Sequence, residues 1–121
     1  MKANELRIGN LVDGQPFTFD IQEIESLGVG SAFFKNGGLE YRNINPIPLT
    51  EEWLLKFGFE NRNGFNRYER GFIGVILDDN SCVDMHDTYN EVWSVLCLIK
   101  SVHQLQNLYF ALTGEELTIK E

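Results

Sequence analysis

Residues 101–114 constrain the fold more than any other stretch, because they encode both ends of one helix. Ser101 followed by Gln104 predicts a capping box, in which each side chain satisfies a backbone amide left free at the start of the helix. Gly114 predicts the end of the helix, since glycine enters the left-handed conformation without steric cost. Helical spacing gives this segment one apolar face that the rest of the fold must bury: Val102, Leu105, Leu108, Tyr109 and Leu112.

Length and composition predict one domain that acts without nucleic acid. A chain of 121 residues lies within the range of a single hydrophobic core, and a hydrophobic content of 43% with nine Phe provides for that core. The formal net charge is −8, which repels phosphate backbones, whereas non-specific nucleic-acid binding needs cationic neutralisation. Solubility and a basic protein partner are the two interpretations of this charge.

Cysteine spacing and hydropathy predict a cytoplasmic protein that does not contact a membrane. Cys82 and Cys97 match no metal or redox spacing, and free thiols suit a reducing compartment, although a disulfide between them stays open. The opening residues lack the apolar core of a secretion signal. The apolar run at 92–99 is too short to cross a bilayer, which takes about 20 residues.

Residues 1–48 are predicted to form the β-rich first part of the domain. Apolar and polar residues alternate over 17–24 with one slip, which indicates a half-buried strand containing a bulge. Further strands are predicted over 29–34 and 39–44, on either side of a hairpin turn at 36–38. Short antiparallel strands with glycine turns are typical of a small bent sheet or an SH3-like barrel, and both alternatives stay open.

Residues 49–121 are predicted to form the second part, an α-β-β-β-α arrangement. Thr50 is the expected cap of a short helix over 51–57, and Gly58 is expected to end that helix in a Schellman motif. Three strands of a meander are predicted next, over 65–70, 72–77 and 81–85.

The apolar residues 92–99 allow two interpretations. They are rich in β-branched side chains and apolar on both faces, as expected of a central strand covered on both sides. They also keep a helical spacing with the following segment, which would give one helix over 91–112. The start signal at Ser101 favours a strand followed by a separate helix. Residues 115–119 are a candidate short final strand.

One flank of the last helix is the first candidate binding surface. His103, Gln106, Asn107 and Phe110 share this polar side, beside the apolar face. Exposed aromatic side chains concentrate at interfaces, so the flank could bind a partner or a ligand. The structural alternative is that the flank is either semi-exposed or docked on a second layer of the fold.

Arg62, Arg67 and Arg70 are the second candidate, and aromatic residues are interleaved with them. Guanidinium groups bind anions through paired hydrogen bonds, so two of them would suffice for a small anionic ligand such as a nucleotide. Arginine and aromatic side chains also bind single-stranded nucleic acid, but the net charge disfavours that function. The structural alternative is an exposed hairpin, since strand alternation divides the three arginines between two faces.

Asp84 and His86 belong to the densest set of potential metal ligands. In a strand that starts near Ser81 both would point to one face, where a carboxylate and an imidazole could bind a divalent ion or transfer protons. The order of the ligands does not match a calcium loop. An aspartate-rich turn followed by a solvated strand face is the favoured interpretation, so no metal or cofactor is predicted.

Three stretches together resemble a protein family: LRIGNLV at 6–12, IPLTEEWLLKFGF at 47–59 and VHQLQNLYFALTGEEL at 102–117. The family consists of small uncharacterised proteins from gut anaerobic bacteria, their prophages and their phages. The resemblance implies a cytoplasmic accessory protein of a mobile element in a bacterial host. Such proteins often neutralise a host component, either a defence protein or a small nucleotide signal. The resemblance transfers no catalytic residue, because the stretches are core and capping segments.

The sequence therefore predicts a single α+β domain, with a small antiparallel β-barrel or bent sheet, a short helix, a β-meander and a C-terminal helix. The expected function is non-enzymatic binding of a host component, with a protein partner favoured. The alternatives are binding of a small anionic nucleotide by the three arginines and a metal-dependent enzyme at Asp84 and His86. The sequence leaves open the partner or ligand and the oligomeric state.

Overall fold

The first part of the chain folds into two small antiparallel sheets. The structure is a computed structural model that describes residues 1, 3–15, 21–35, 37–62, 64–78, 81–87 and 92–119, with the backbone alone at 3, 87 and 92–97. In the first sheet, β1 (Leu11–Asp13) pairs with β2 (Ile21–Glu23). The second sheet consists, in spatial order, of β3 (Ser26–Leu27), β4 (Ser31–Phe34) and β5 (Gly37–Glu40).

These two sheets enclose a first hydrophobic core. Side chains alternate along β4, so Ala32 and Phe34 are buried whereas Phe33 lies on the outer face. The core also includes residues from the segments on either side of the strands, and its buried members are Leu6, Val12, Ile24, Ala32, Phe34 and Ile44.

The first part differs from the sequence prediction at its glycines. Gly37 and Gly38 belong to β5 and not to a turn, and Tyr41–Asn43 form a 3₁₀ turn where the sequence predicts a strand. Gly38 is accommodated in the strand because the ring of Phe33 packs against it and shields its backbone. Most of the strand predicted over 17–24 lies outside the described residues. No barrel closes among the residues described, so the SH3-like arrangement stays a prediction.

Helix α1 (Glu51–Lys56) has the predicted cap at each end. The Oγ1 of Thr50 accepts a hydrogen bond from the third helical N–H at 3.4 Å. Gly58 has a φ of 86°, and the N–H of Phe59 donates to the carbonyl of Leu54 at 3.0 Å. These bonds are those of the Schellman motif, so both predicted ends are confirmed.

Five antiparallel strands form the main sheet, in the spatial order β10-β9-β8-β7-β6. Their bounds are β6 (Glu60–Asn61), β7 (Arg67–Arg70), β8 (Ile73–Ile76), β9 (Cys82–Asp87) and β10 (Val92–Leu98). The predicted meander is confirmed as β7, β8 and β9. The strand predicted at 92–99 is confirmed as β10, followed by a separate helix, but its predicted central position is wrong, because β10 lies at the edge of the described sheet. Apolar residues on both faces do not specify how many neighbours a strand has.

Helix α2 (Val102–Thr113) packs its apolar face on the main sheet, as the sequence predicts. Ser101 and Gln104 form the capping box, in which Gln104 Oε1 accepts the N–H of Ser101 at 3.2 Å. Gly114 ends the helix with a φ of 76°. The second core joins both helices and the sheet: Leu54, Phe57, Phe59, Tyr68, Ile73, Val75, Val83, Ile99, Val102, Leu105 and Tyr109 are among its buried members.

Residues 115–119 form no strand. Neither α2 nor any other helix in the described part of the chain could span a membrane.

Candidate functional site

The polar flank of α2 is occupied by the chain itself. His103 and Gln106 are each 2% exposed, which agrees with the alternative that this flank is docked on another part of the fold. The Oε1 of Gln106 accepts the N–H of Leu11 at 2.8 Å, and its Nε2 donates to the carbonyl of Gly9 at 3.2 Å. At Gln106 the flank is therefore an internal contact, because buried side-chain amides need partners and residues 5–11 provide them, whereas Phe110 at its edge is 40% exposed.

Asn107 and Phe110 complete this internal contact. The Oδ1 of Asn107 accepts hydrogen bonds from Nη1 of Arg7 and from Nδ2 of Asn10, both at 2.8 Å. The guanidinium of Arg7 lies 4.3 Å from the centroid of the Phe110 ring and also pairs with Glu116. Both predicted site residues thus hold the start of the chain against α2.

Arg62 and Arg70, two of the three arginines proposed as an anion site, are engaged separately. Arg62 pairs with Glu60 at 3.1 Å on the surface. Arg70 donates to the carbonyl of Phe57, and its guanidinium lies 5.5 Å from the centroid of the Tyr109 ring. The structure does not bring these two guanidinium groups together around one cavity.

Arg67, the third arginine, belongs to an ion-pair network on the face of the main sheet opposite the core. Its Nη1 and Nη2 donate to the carboxylate of Asp84 at 2.9 and 3.1 Å, and its Nε donates to Glu69 at 3.0 Å. Gly74 lies between Glu69 and Asp84 in the strand register, so no side chain separates the two carboxylates. The bonds to Asp84 raise the pKa of Arg67, although burial opposes them. Arg67 is therefore committed to internal partners.

Asp84 is an ion-pair partner and not a free metal ligand. It is 3% exposed and lies two residues before His86 on β9. In the part of the chain that the structure describes, no three His, Cys, Asp or Glu side chains gather into a group that could hold a metal ion. The described structure therefore gives the metal-dependent alternative no supporting geometry.

A cavity of about 560 Å³ opens beside the first turn of α2. This volume lies in the range of small-molecule sites. The chain before α1 meets the start of α2 here, since Leu49 N–H donates to the carbonyl of Lys100 at 3.1 Å and Val102 N–H donates to that of Ile47 at 2.8 Å. Both parts of the protein form the walls, which include Glu5, Arg42, Ile44, Pro46, Pro48, Lys100, Ser101 and His103.

His103 lies in the wall of this cavity and carries a buried atom without a partner. Its Nδ1 lies 3.1 Å from the Oγ of Ser101, whereas its Nε2 has no hydrogen-bond partner among the described residues. His103 also lines a second cavity of about 290 Å³, so the ring stands between the two. Burial lowers the pKa of His103, although nearby Glu5 opposes this shift. The ring is therefore neutral at pH 7, with one donor and one acceptor nitrogen.

Charged groups of both signs line the larger cavity. Lys100 and Glu5 both form part of its wall, and neither makes an ion pair within the described residues. Arg42 is paired with Glu40 at 2.7 Å, so its charge is largely compensated. The first turn of α2 adds partial positive charge, because helix N-termini leave backbone N–H groups without intrahelical partners.

Sequence reasoning selected His103 but missed its neighbours in the cavity. Lys100 and Glu5 are far apart in the chain and share no motif, so only the packing of the first part against α2 brings them to one wall. The single available signal was the position of Lys100 directly before the cap of the helix. The prolines at 46 and 48 indicated the end of a strand and gave no indication of a cavity.

The sequence matches no family model, and no curated protein or solved structure matches it. The family resemblance of residues 6–12, 47–59 and 102–117 therefore stays a prediction. The candidate site has to be interpreted from its own geometry.

Proposed function

We propose that this protein is a non-enzymatic binding protein whose ligand is a small molecule with an oxyanion, held in the cavity at the start of α2. The unpartnered Nε2 of His103 carries this proposal, since native proteins rarely bury a polar side-chain atom without a partner. With the hydroxyl of Ser101 donating to Nδ1, the Nε2 holds the proton and lacks an acceptor. Because this atom is buried, a ligand oxygen can accept its proton only when the ring turns towards the cavity. The ammonium of Lys100 and the first turn of α2 favour a negative charge on that ligand.

Binding fits this geometry better than catalysis does. Ser101 is the hydroxyl beside the imidazole, but it is 4% exposed and serves as the cap of α2. A nucleophile needs a hydroxyl that is free to attack, and this hydroxyl is already engaged by the backbone N–H of Gln104 and by Nδ1 of His103. The imidazole can therefore hold a ligand, whereas the serine is not placed to attack one.

The test is a binding screen by thermal shift and calorimetry with inorganic phosphate, acetate, nucleoside monophosphates and free amino acids. A ligand at a hundred times its Kd adds about 2.7 kcal/mol to stability, which is easily seen as a rise in Tm. Lys100→Gln should weaken binding, whereas Lys35→Gln should not, because Lys35 is exposed and lines neither cavity. No response to any of these compounds would overturn the proposal.

A second candidate function, binding of a basic host protein, is favoured by the outer face of the three-stranded sheet. Val29 is fully exposed at the tip of the β3–β4 hairpin, and Phe33 is 47% exposed. Glu40 lies on the same face as Phe33, because it pairs with Ser31, two residues earlier on β4. An exposed apolar group on a chain of net charge −8 suits a basic partner with an apolar pocket, although Glu40 itself is paired with Arg42.

The two candidates differ in the residues on which they depend. In the setting that the family resemblance implies, the partner would be a cytoplasmic protein of the bacterial host. Phe33→Ser should abolish its capture and leave ligand binding at the cavity intact, and the interaction should weaken with rising salt. Capture that is unchanged in Phe33→Ser would remove this candidate.

A further inference from the structure

The cavity at the start of α2 is lined by charged residues that make no ion pair within the described residues. Two of them are positive, Lys100 and Met1 with its N-terminal ammonium, and one is negative, Glu5. Lys100 and Glu5 are exposed residues of its wall, and neither has an ion-pair partner in the described part of the chain. Glu5 lies close enough to His103 to influence its protonation, so the negative charge is near the buried imidazole. A simple anion would satisfy Lys100 and be repelled by Glu5, since both charges act over the few ångströms of one site.

We propose that the ligand is a zwitterion of the α-amino-acid type, with its carboxylate towards Lys100 and the first turn of α2 and its ammonium towards Glu5. This inference rests on the proposed function, because it specifies the ligand of the same cavity. A zwitterion supplies partners for wall groups of both signs. Specificity follows, because an analogue that lacks one charged group leaves the matching wall group unpaired.

The rest of the wall selects an apolar side chain on this ligand. Ile44, Pro46 and Pro48 form the apolar portion of the cavity and lie on the segment that faces α2. Proline rings are rigid and apolar and carry no backbone donor, so they favour contact with an apolar or aromatic group. A volume of about 560 Å³ accommodates an aromatic amino acid with its ordered water.

Matched sets of ligands test the inference. The first set is tryptophan, indole-3-propionate and tryptamine, which share one ring system and carry both charges, only the anion or only the cation. The second set is phenylalanine, 3-phenylpropionate and phenethylamine. Calorimetry at low salt should show that each zwitterion binds about tenfold more tightly than either partner, the difference that one charge-assisted hydrogen bond produces.

Variants of the wall charges should reverse these preferences. Glu5→Gln should weaken tryptophan binding about tenfold and leave indole-3-propionate unchanged or tighter, because it removes only the group that repels the anion. Lys100→Gln should weaken indole-3-propionate and spare tryptamine. The controls are Glu25→Gln and Lys35→Gln, which remove exposed charges of the same type that line neither cavity.

The outcomes separate this inference from the proposed function. Equal affinity for tryptophan and indole-3-propionate, or binding of phosphate without binding of any amino acid, would overturn the zwitterion and leave an oxyanion site at the cavity. Affinity unchanged by both Glu5→Gln and Lys100→Gln would also overturn it, since the ligand would then bind elsewhere. No binding by any compound would overturn the proposed function itself.

Discussion

Replacing Gln106 by Met should detach the start of the chain from α2. Met has nearly the same length and volume, but it cannot accept the N–H of Leu11 or donate to the carbonyls of Gly9 and Leu117, at 2.8, 3.2 and 3.4 Å in the native protein. An unsatisfied buried N–H costs about 1–3 kcal/mol, and the two longer bonds add a smaller amount. We expect Gln106→Met to lower the free energy of unfolding by about 2–4 kcal/mol, which corresponds to a fall in Tm of roughly 10 °C.

Urea unfolding measures the total loss, and hydrogen exchange locates it. The amide of Leu11 should exchange much faster in Gln106→Met. Amides of the main sheet, such as that of Val75, should change their exchange rate only by the amount that the change in global stability predicts. Ala111→Met is the control on the same helix, because Ala111 is exposed and Met is a good helix former. This control should stay within about 0.5 kcal/mol of the native protein.

A second substitution distinguishes lost hydrogen bonds from lost packing. Gln106→Glu retains an acceptor for Leu11 but directs a buried carboxylate at the carbonyl of Gly9, so it should be strongly destabilising at pH 7. Its stability relative to the native protein should recover as the pH falls, because the protonated acid can donate to that carbonyl. A stability loss below about 0.5 kcal/mol in Gln106→Met, the size of a neutral change, would refute the anchoring role of this amide.

The other predictions concern the sheets and the buried histidine. Gly38→Ala should lower the free energy of unfolding, measured by thermal melting, by about 1–3 kcal/mol, because the added Cβ would lie 2.7 Å from a ring carbon of Phe33 and 2.9 Å from the carbonyl oxygen of Ala32. Gly30→Ala, where the space is open, should cost less, and equal costs would contradict this reasoning. Asp84→Asn should lower the free energy of unfolding, measured in urea, by about 3 kcal/mol, since it leaves the charge of Arg67 poorly compensated. A decrease below about 1 kcal/mol would argue against a buried ion pair. Burial lowers the pKa of His103 from 6.5, so the stability that its neutral ring allows is present above pH 6.5 and is lost as the pH falls through the lowered pKa. The Tm of His103→Gln should therefore depend less steeply on pH than that of the native protein between about pH 7 and 5, and equal slopes would exclude the effect.

The candidate site was only partly accessible from the sequence. His103 stood out as an imidazole on a polar helix flank, and the structure places it in a cavity wall. The other predicted flank residues turned out to bind residues 5–11, because a polar flank has the same pattern whether it meets solvent, a partner or another segment of its own chain. The arginine at 67 was equally ambiguous, since its partner Asp84 lies 17 residues away and on a different strand.

The sequence by itself determined the local elements whose signals lie within one turn of the backbone. The caps of α1 and α2, the apolar face of α2 and the three meander strands were predictable, because capping bonds and side-chain periodicity act between residues that are close in the chain. Only the tertiary structure decided that β10 lies at an edge, that residues 5–11 cover the flank of α2, and that Lys100, Glu5 and His103 share one cavity. Those arrangements depend on which distant segments pack together, and the residue pattern of each segment is compatible with several such partners.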